Sequence, residues 1–222
     1  MLVAAAVCPH PPLLVPELAG AAAAELDDLR AACAAAVGSL RDAGADAITV
    51  VGGANGTAAY GADAAGCLAP WGADVRTGGG EPVLPLSLTI GRWLLERERV
   101  EATGFQAIAF DAPSRECAAL GRRLADEAGR TALLVMADGS ARLTEKSPGH
   151  LDPRAEPYDR MIVEALARAE VPELDAAEAA ELWVQGRAAL QVLRGLGKGL
   201  RAEVLYDDAP YGVGYFVARW TV

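Results

Sequence analysis

Leu2-Val3-Ala4-Ala5-Ala6-Val7-Cys8-Pro9-His10-Pro11-Pro12 is the stretch whose reading sets the fold class. Seven apolar residues in a row, closed by prolines, are too few for a core helix. They predict a strand buried on both faces. The prolines at 9, 11, 12 and 16 predict a stiff loop beyond it. A strand buried on both faces needs helices above and below, and the following residues supply one. From Glu17 to Ala43, Leu18, Ala22, Leu26, Leu29, Cys33, Val37 and Leu40 recur at spacings of three and four. That is the apolar stripe of an amphipathic helix. Acids lie early and Arg30 and Arg41 late, as the helix dipole favours, and Gly44 is a natural stop.

The same alternation continues outward. Ala47–Val51 reads as a second buried strand, running into Gly52-Gly53-Ala54-Asn55-Gly56. Residues 56–80 are rich in glycine, lack periodicity and read as mostly loop. A helix is predicted around Ser87–Glu96, a third strand over Phe105–Phe110, and a helix over Ser114–Ala128 with Ser114 as its N-cap and Gly129 as its stop. Thr131–Ala137 reads as the fourth strand, followed by a long irregular loop over 141–157. Helices are predicted near 158–169, 176–183 and 187–196. Leu200–Tyr206 and Val213–Val222 read as an antiparallel pair. The expected fold is therefore α/β: a mostly parallel central sheet, helices on both faces, and a C-terminal antiparallel strand pair. In such sheets ligands bind beyond the carboxyl ends of the strands. The segments after the first, second and fourth strands should gather there.

Composition bounds the rest. At 222 residues the chain suits a single domain over 1–222, long enough to bury roughly 70–75% of its unfolded surface. The net charge of −10 argues against nucleic acid as a partner, because such a field repels phosphate backbones. The densest basic pieces, Arg122-Arg123 and Arg194 to Arg201, read as solvated faces. Cys8, Cys33, Cys67 and Cys117 form no CxxC pair and are expected as free thiols in a reducing, cytoplasmic compartment. Met1–Val7 lacks the positive flank of a signal peptide, and no apolar run reaches the length of a membrane span. Trp71, Trp93, Trp183 and Trp220 are expected in the core or at an interface, and a homodimer fits such an interface.

Three segments carry chemistry. His10, held between prolines just past a strand end, has the restricted placement that a metal ligand or base needs. Gly52-Gly53-Ala54-Asn55-Gly56-Thr57 allows close backbone approach but does not match GxGxxG. Asp138-Gly139-Ser140-Ala141-Arg142-Leu143, with His150 further along the loop, could orient a substrate. Ser140 is not in a GxSxG nucleophile elbow.

Together these pieces resemble a known family. Pro9-His10-Pro11-Pro12 after the first strand, the Gly/Ala/Asn turn after the second, the Leu84-to-Arg92 stretch, and the Gly139-to-Leu143 segment are similar to the class III extradiol ring-cleavage dioxygenase catalytic subunit. The likeness is nearest to an uncharacterised actinobacterial branch and runs over nearly the whole chain. It implies an Fe(II) cofactor held by two His and one Glu, a further His as acid/base, and a catechol-type small aromatic molecule as substrate. Residue by residue, His10 matches the first iron His. Ala54 stands where the second belongs, and Ala141 where the acid/base His belongs. Glu178 and Glu181 both precede Trp183, as the ligand Glu precedes a Trp, but neither at the usual spacing. His150 and Asp138 are the groups that could complete a ligand set. A methyl group neither binds iron nor moves protons, so the resemblance implies a degenerate metal and catalytic site. Three functions follow as expectations. One is a dioxygenase with an altered ligand set. The second is a non-catalytic small-molecule-binding or structural protein, with a pocket lined by His10, Asn55, Asp138 and Tyr215. The third is a hydrolase using His10 with Asp138.

Overall fold

The computed structural model describes residues 1–197 and 199–222. In chain order the elements are β1 (Leu2–Cys8), α1 (Pro16–Ala19), α2 (Asp27–Asp42), β2 (Ala47–Ala54), β3 (Ala58–Gly61), β4 (Gly66–Cys67), β5 (Arg76–Thr77), α3 (Leu86–Arg97), β6 (Gly104–Ala109), α4 (Ser114–Ala125), β7 (Thr131–Met136), α5 (Ala155–Leu166), α6 (Ala176–Glu181), α7 (Arg187–Leu193), β8 (Arg201–Asp208) and β9 (Tyr215–Thr221). Seven strands form one sheet in the order β3-β6-β2-β7-β1-β9-β8, and β4 pairs with β5 apart from it.

The four central strands, β6, β2, β7 and β1, are parallel to one another. Both edges are antiparallel: β3 pairs with β6, and β9 joins β1 and β8. The sheet is therefore mixed. The C-terminal pair is part of it rather than a separate ribbon. Alternate residues of each strand feed two cores. Ala4, Ala6, Cys8, Val50, Leu134 and Met136 face α2 and α3. Ala5, Val7, Val51, Ile108, Leu133 and Val135 face α4 to α7. Both faces of the central strands are covered, which is why their sequences read as continuous apolar runs.

Several boundaries differ from expectation, each for a physical reason. The predicted 17–43 helix is interrupted. Gly20 takes φ +56, which ends α1, and a 3-10 segment runs through Gly20–Leu26 before α2 starts. β2 runs on through Gly52 and Gly53 to Ala54 instead of turning at Val51. A Cβ on Gly52 would lie 2.4 Å from Ser87 Oγ, and one on Gly53 would lie 2.7 Å from the Phe110 ring. These glycines therefore admit neighbours to a strand rather than make a turn. The 56–80 stretch contains β3, β4 and β5. Ser114 is the first residue of α4 and not its cap; Pro113 holds that place, and Ser114 Oγ accepts a hydrogen bond from Arg187 Nη2 at 2.9 Å. Trp93 and Trp220 are core residues, as expected, but Trp71 and Trp183 stand exposed. Among the described residues no helix is long and apolar enough to cross a membrane.

The connections define where a site can form. After β1 the chain leaves for the α2/α3 face; after β6 and β7 it leaves for the α4–α7 face. After β2 it crosses the tip of β6 into edge strand β3 before it reaches α3. Neighbouring strands β7 and β1 thus send their loops to opposite sides. A crevice opens at the carboxyl ends of strands where this happens, here between β1 and β7.

Candidate functional site

The crevice between β1 and β7 holds the sequence-predicted residues of highest chemical content. Cys8 and Gly52 both register with Met136. Two residues further along each chain come His10, Asp138 and Ala54, one step past that row. Each continues the alternation that points Cys8, Met136 and Val50 toward α2 and α3. His10 is 2% exposed. Its backbone N–H donates to Asp138 Oδ1 at 2.6 Å. Its Nδ1 lies 3.4 Å from the same oxygen, near enough for charge attraction but without a hydrogen bond, so Nδ1 is left unpartnered. Burial raises the Asp138 pKa, and the attraction and hydrogen bond of His10 oppose the rise. Tyr215, 3% exposed on β9, and Cys33 on α2 share this environment. Burial raises both their pKa values, and the Asp138 charge adds to each shift.

The loop after β7 is held by a residue that the sequence reading missed. Asp159 on α5 is 8% exposed. Its carboxylate accepts from Ser140 N–H at 2.8 and 3.1 Å and from Ser140 Oγ at 2.8 Å. A Cβ on Gly139 or Gly214 would meet that carboxylate at 2.8 or 2.2 Å, so two glycines make its cradle. Burial pushes the Asp159 pKa up to about 6; the Ser140 hydrogen bonds pull against it. One signal did exist. Asp159 interrupts an otherwise apolar stripe of Ala155, Tyr158, Ile162 and Leu166. Ser140 is fully buried with its hydroxyl committed to Asp159, which leaves it unsuited to act as a nucleophile.

The remaining candidates lie elsewhere. His150 is exposed, adopts φ +58, and its Nδ1 lies 2.9 Å from the Glu145 carbonyl oxygen in its own loop. Glu178 and Glu181 lie on the exposed side of α6, and Arg154 Nη1 donates to Glu181 Oε2 at 2.7 Å. Asn55 is exposed, unlike His10 and Tyr215. Ala141 is tied through its N–H to the Leu182 carbonyl at 3.1 Å. Among the described residues, no three His, Cys, Asp or Glu side chains converge as a metal site would require. Among the described residues His10 is the single imidazole here and Asp138 the carboxylate beside it, with the Cys33 thiol and Tyr215 hydroxyl in the same environment. The residues present do not fit Fe(II) held by two His and one Glu.

A cavity beyond the tip of β6, beside α6, is built differently. Phe110, just past β6, and Trp183, just past α6, line a cavity of about 240 Å³ with Asp111, Ala179, Val184 and Gln185. Phe110 is 36% and Trp183 52% exposed. Trp183 closes α6 in the left-handed region, φ +58, with Val184 N–H returning to the Ala179 carbonyl at 2.8 Å. Glycine is the usual residue there, and a side chain at that position costs about 1 kcal/mol. Sequence reasoning passed over Phe110 because it was placed inside a strand. No periodic pattern marked Gln185.

No protein-family model matches this sequence, and no curated protein matches it. Among solved structures, the fold is similar to that of an uncharacterised protein from Escherichia coli K12, with a TM-score of 0.63 over 98% of this chain and 99% of that one. The two sequences are 12% identical, so the likeness is one of fold alone.

Proposed function

We propose that this chain is a class III extradiol dioxygenase-like protein that has lost ring cleavage and acts by binding a small aromatic molecule. The observation that carries this reading is the donor set at the strand tips. One imidazole stands beside a carboxylate, Ala54 occupies the same row, and Glu178 and Glu181 belong to the exposed side of α6. Ring cleavage of the family's kind needs a metal with open positions and a group that moves protons. Methyl groups at Ala54 and Ala141 supply neither. Binding needs less. The cavity lined by Phe110 and Trp183 offers two aromatic rings among Ala179, Ala180 and Val184, and at about 240 Å³ it suits a single-ring compound. That is below the roughly 300 Å³ at which drug-sized pockets begin. Offset stacking against two rings contributes about 0.5–1.5 kcal/mol per pair beyond area burial. A hydrolase using His10 with Asp138 is less well supported, since Ser140 is committed to Asp159. The test is oxygen uptake by protein supplied with Fe(II) under reducing conditions, across a panel of catechols. The expected result is no uptake above the protein-free rate. Uptake that is lost in His10→Ala would overturn the proposal.

A further inference from the structure

The chain carries a net charge of −10, yet one of its grooves is basic. Arg115 and Arg122 on α4, with Arg194 just past α7, line a cavity of about 330 Å³ together with Ser114, Ala118 and Glu173. Arg115 and Arg122 are exposed. Among the described residues, the ion pair in this groove is Arg194 with Glu173 at 3.4 Å. A fourth guanidinium lies beneath. Arg187 is 3% exposed and donates to the carbonyls of Leu174, at 3.0 Å, and Ala112, and to Ser114 Oγ at 2.9 Å. Its charge is satisfied by neutral acceptors and neutralised by no carboxylate among the described residues. A buried charge of this kind is screened far less than an exposed one. Four guanidiniums and one carboxylate thus leave the groove strongly positive on an acidic protein.

We infer that this groove binds an extended oligophosphate. Arg115 and Arg122 are seven positions apart, close to two helical turns, so both leave the same face of α4 with their Cα atoms about 10 Å apart. Ala118 lies between them and leaves the floor open. A chain of three phosphates can engage both guanidiniums without drawing the two side chains together, and it carries more charge for them to meet than a single phosphate does. Arginine suits the task because its planar fork donates two parallel hydrogen bonds to phosphate oxygens. Long polyanions are disfavoured, because the acidic surface beyond the groove repels them. The site is distinct from the aromatic cavity and stands independently of it.

Isothermal calorimetry on the full chain in metal-free buffer tests this, with tripolyphosphate, monophosphate and an oligoglutamate peptide as probes. Saturable tripolyphosphate binding is expected, with monophosphate about 10-fold or more weaker. Arg122→Gln should weaken tripolyphosphate about 10-fold, as expected for loss of a charged hydrogen-bond pair. Lys146→Gln, exposed and outside the groove, should leave it unchanged. Raising salt should weaken binding. Because Arg122 is exposed, its variant should melt at the wild-type temperature. Absence of saturable binding, equal affinity for monophosphate, preference for the peptide, or indifference to Arg122→Gln would each overturn the inference.

Discussion

The crevice between β1 and β7 and the cavity beyond the tip of β6 are built from different materials. Between β1 and β7 the molecule gathers its titratable groups, His10 and Asp138, and closes over them. Beyond the tip of β6, beside α6, it gathers aromatic surface, Phe110 and Trp183, and leaves it open. The crevice has reactive side chains and an unpartnered imidazole nitrogen; the cavity has space. The difference teaches that chemical content and ligand access have separated in this fold. The buried pair His10 and Asp138 is enclosed, whereas the cavity at Phe110 and Trp183 is accessible and carries one carboxylate, Asp111.

The largest expected effect comes from the residue that joins the two sides. Gly186 packs against the Asp138 backbone, where a Cβ would stand 2.4 Å from the carbonyl oxygen and 2.6 Å from the nitrogen. Gly186→Ala should destabilise the protein by about 3 kcal/mol, read from urea unfolding, because backbone on both sides must move. It should disturb the closed crevice and the open cavity together. A variant as stable as wild type would mean that the two sides are not braced against each other.

A second prediction concerns the closed side alone. Asp159 titrates near 6 in the folded protein, against 3.8 for the ordinary carboxyl. Between those values the folded state keeps a proton that the unfolded chain has lost. This contribution to stability is therefore fully present below about pH 4, declines as pH rises toward 6, and is flat above that. Its full size is about 3 kcal/mol. Burial shifts Asp138 in the same direction and adds to the slope. Asp159→Asn should flatten the difference in unfolding free energy between pH 4 and 7. An unchanged slope in that variant would contradict the assignment.

The smallest stability effect belongs to the open side. Trp183→Gly relieves a left-handed backbone, which returns about 1 kcal/mol, and gives up the packing of the covered half of the side chain. The two effects offset, and thermal melting should show a stability within about 2 kcal/mol of wild type. Affinity for single-ring aromatics should nevertheless fall. A larger loss of stability would mean that Trp183 serves the core and not the cavity.

The fold was largely legible because it rests on patterns local to the sequence. The apolar runs at Leu2–Cys8 and Thr131–Met136 bury both faces, and the stripe through Leu29, Cys33, Val37 and Leu40 seats α2. Edge strand β3 escaped notice because Ala58-Ala59-Tyr60-Gly61 is too short to show alternation, and its pairing with β6 is set at a distance. The closed crevice was half legible. His10 and Asp138 meet as the strand order predicts. Asp159 reaches Ser140 from a helix nineteen residues away, a contact that no local spacing encodes. The open cavity was not legible, because Phe110 and Trp183 come together only when α6 folds back over the tip of β6.

The most direct test asks which side of the rim holds the ligand. Anaerobic equilibrium titration of catechol should be run on wild type, His10→Ala and Trp183→Gly, each checked for folding by circular dichroism. The expected result is that His10→Ala binds as wild type does, whereas Trp183→Gly loses binding. Loss of binding in His10→Ala with full retention in Trp183→Gly would return the site to the closed crevice and contradict the division between them.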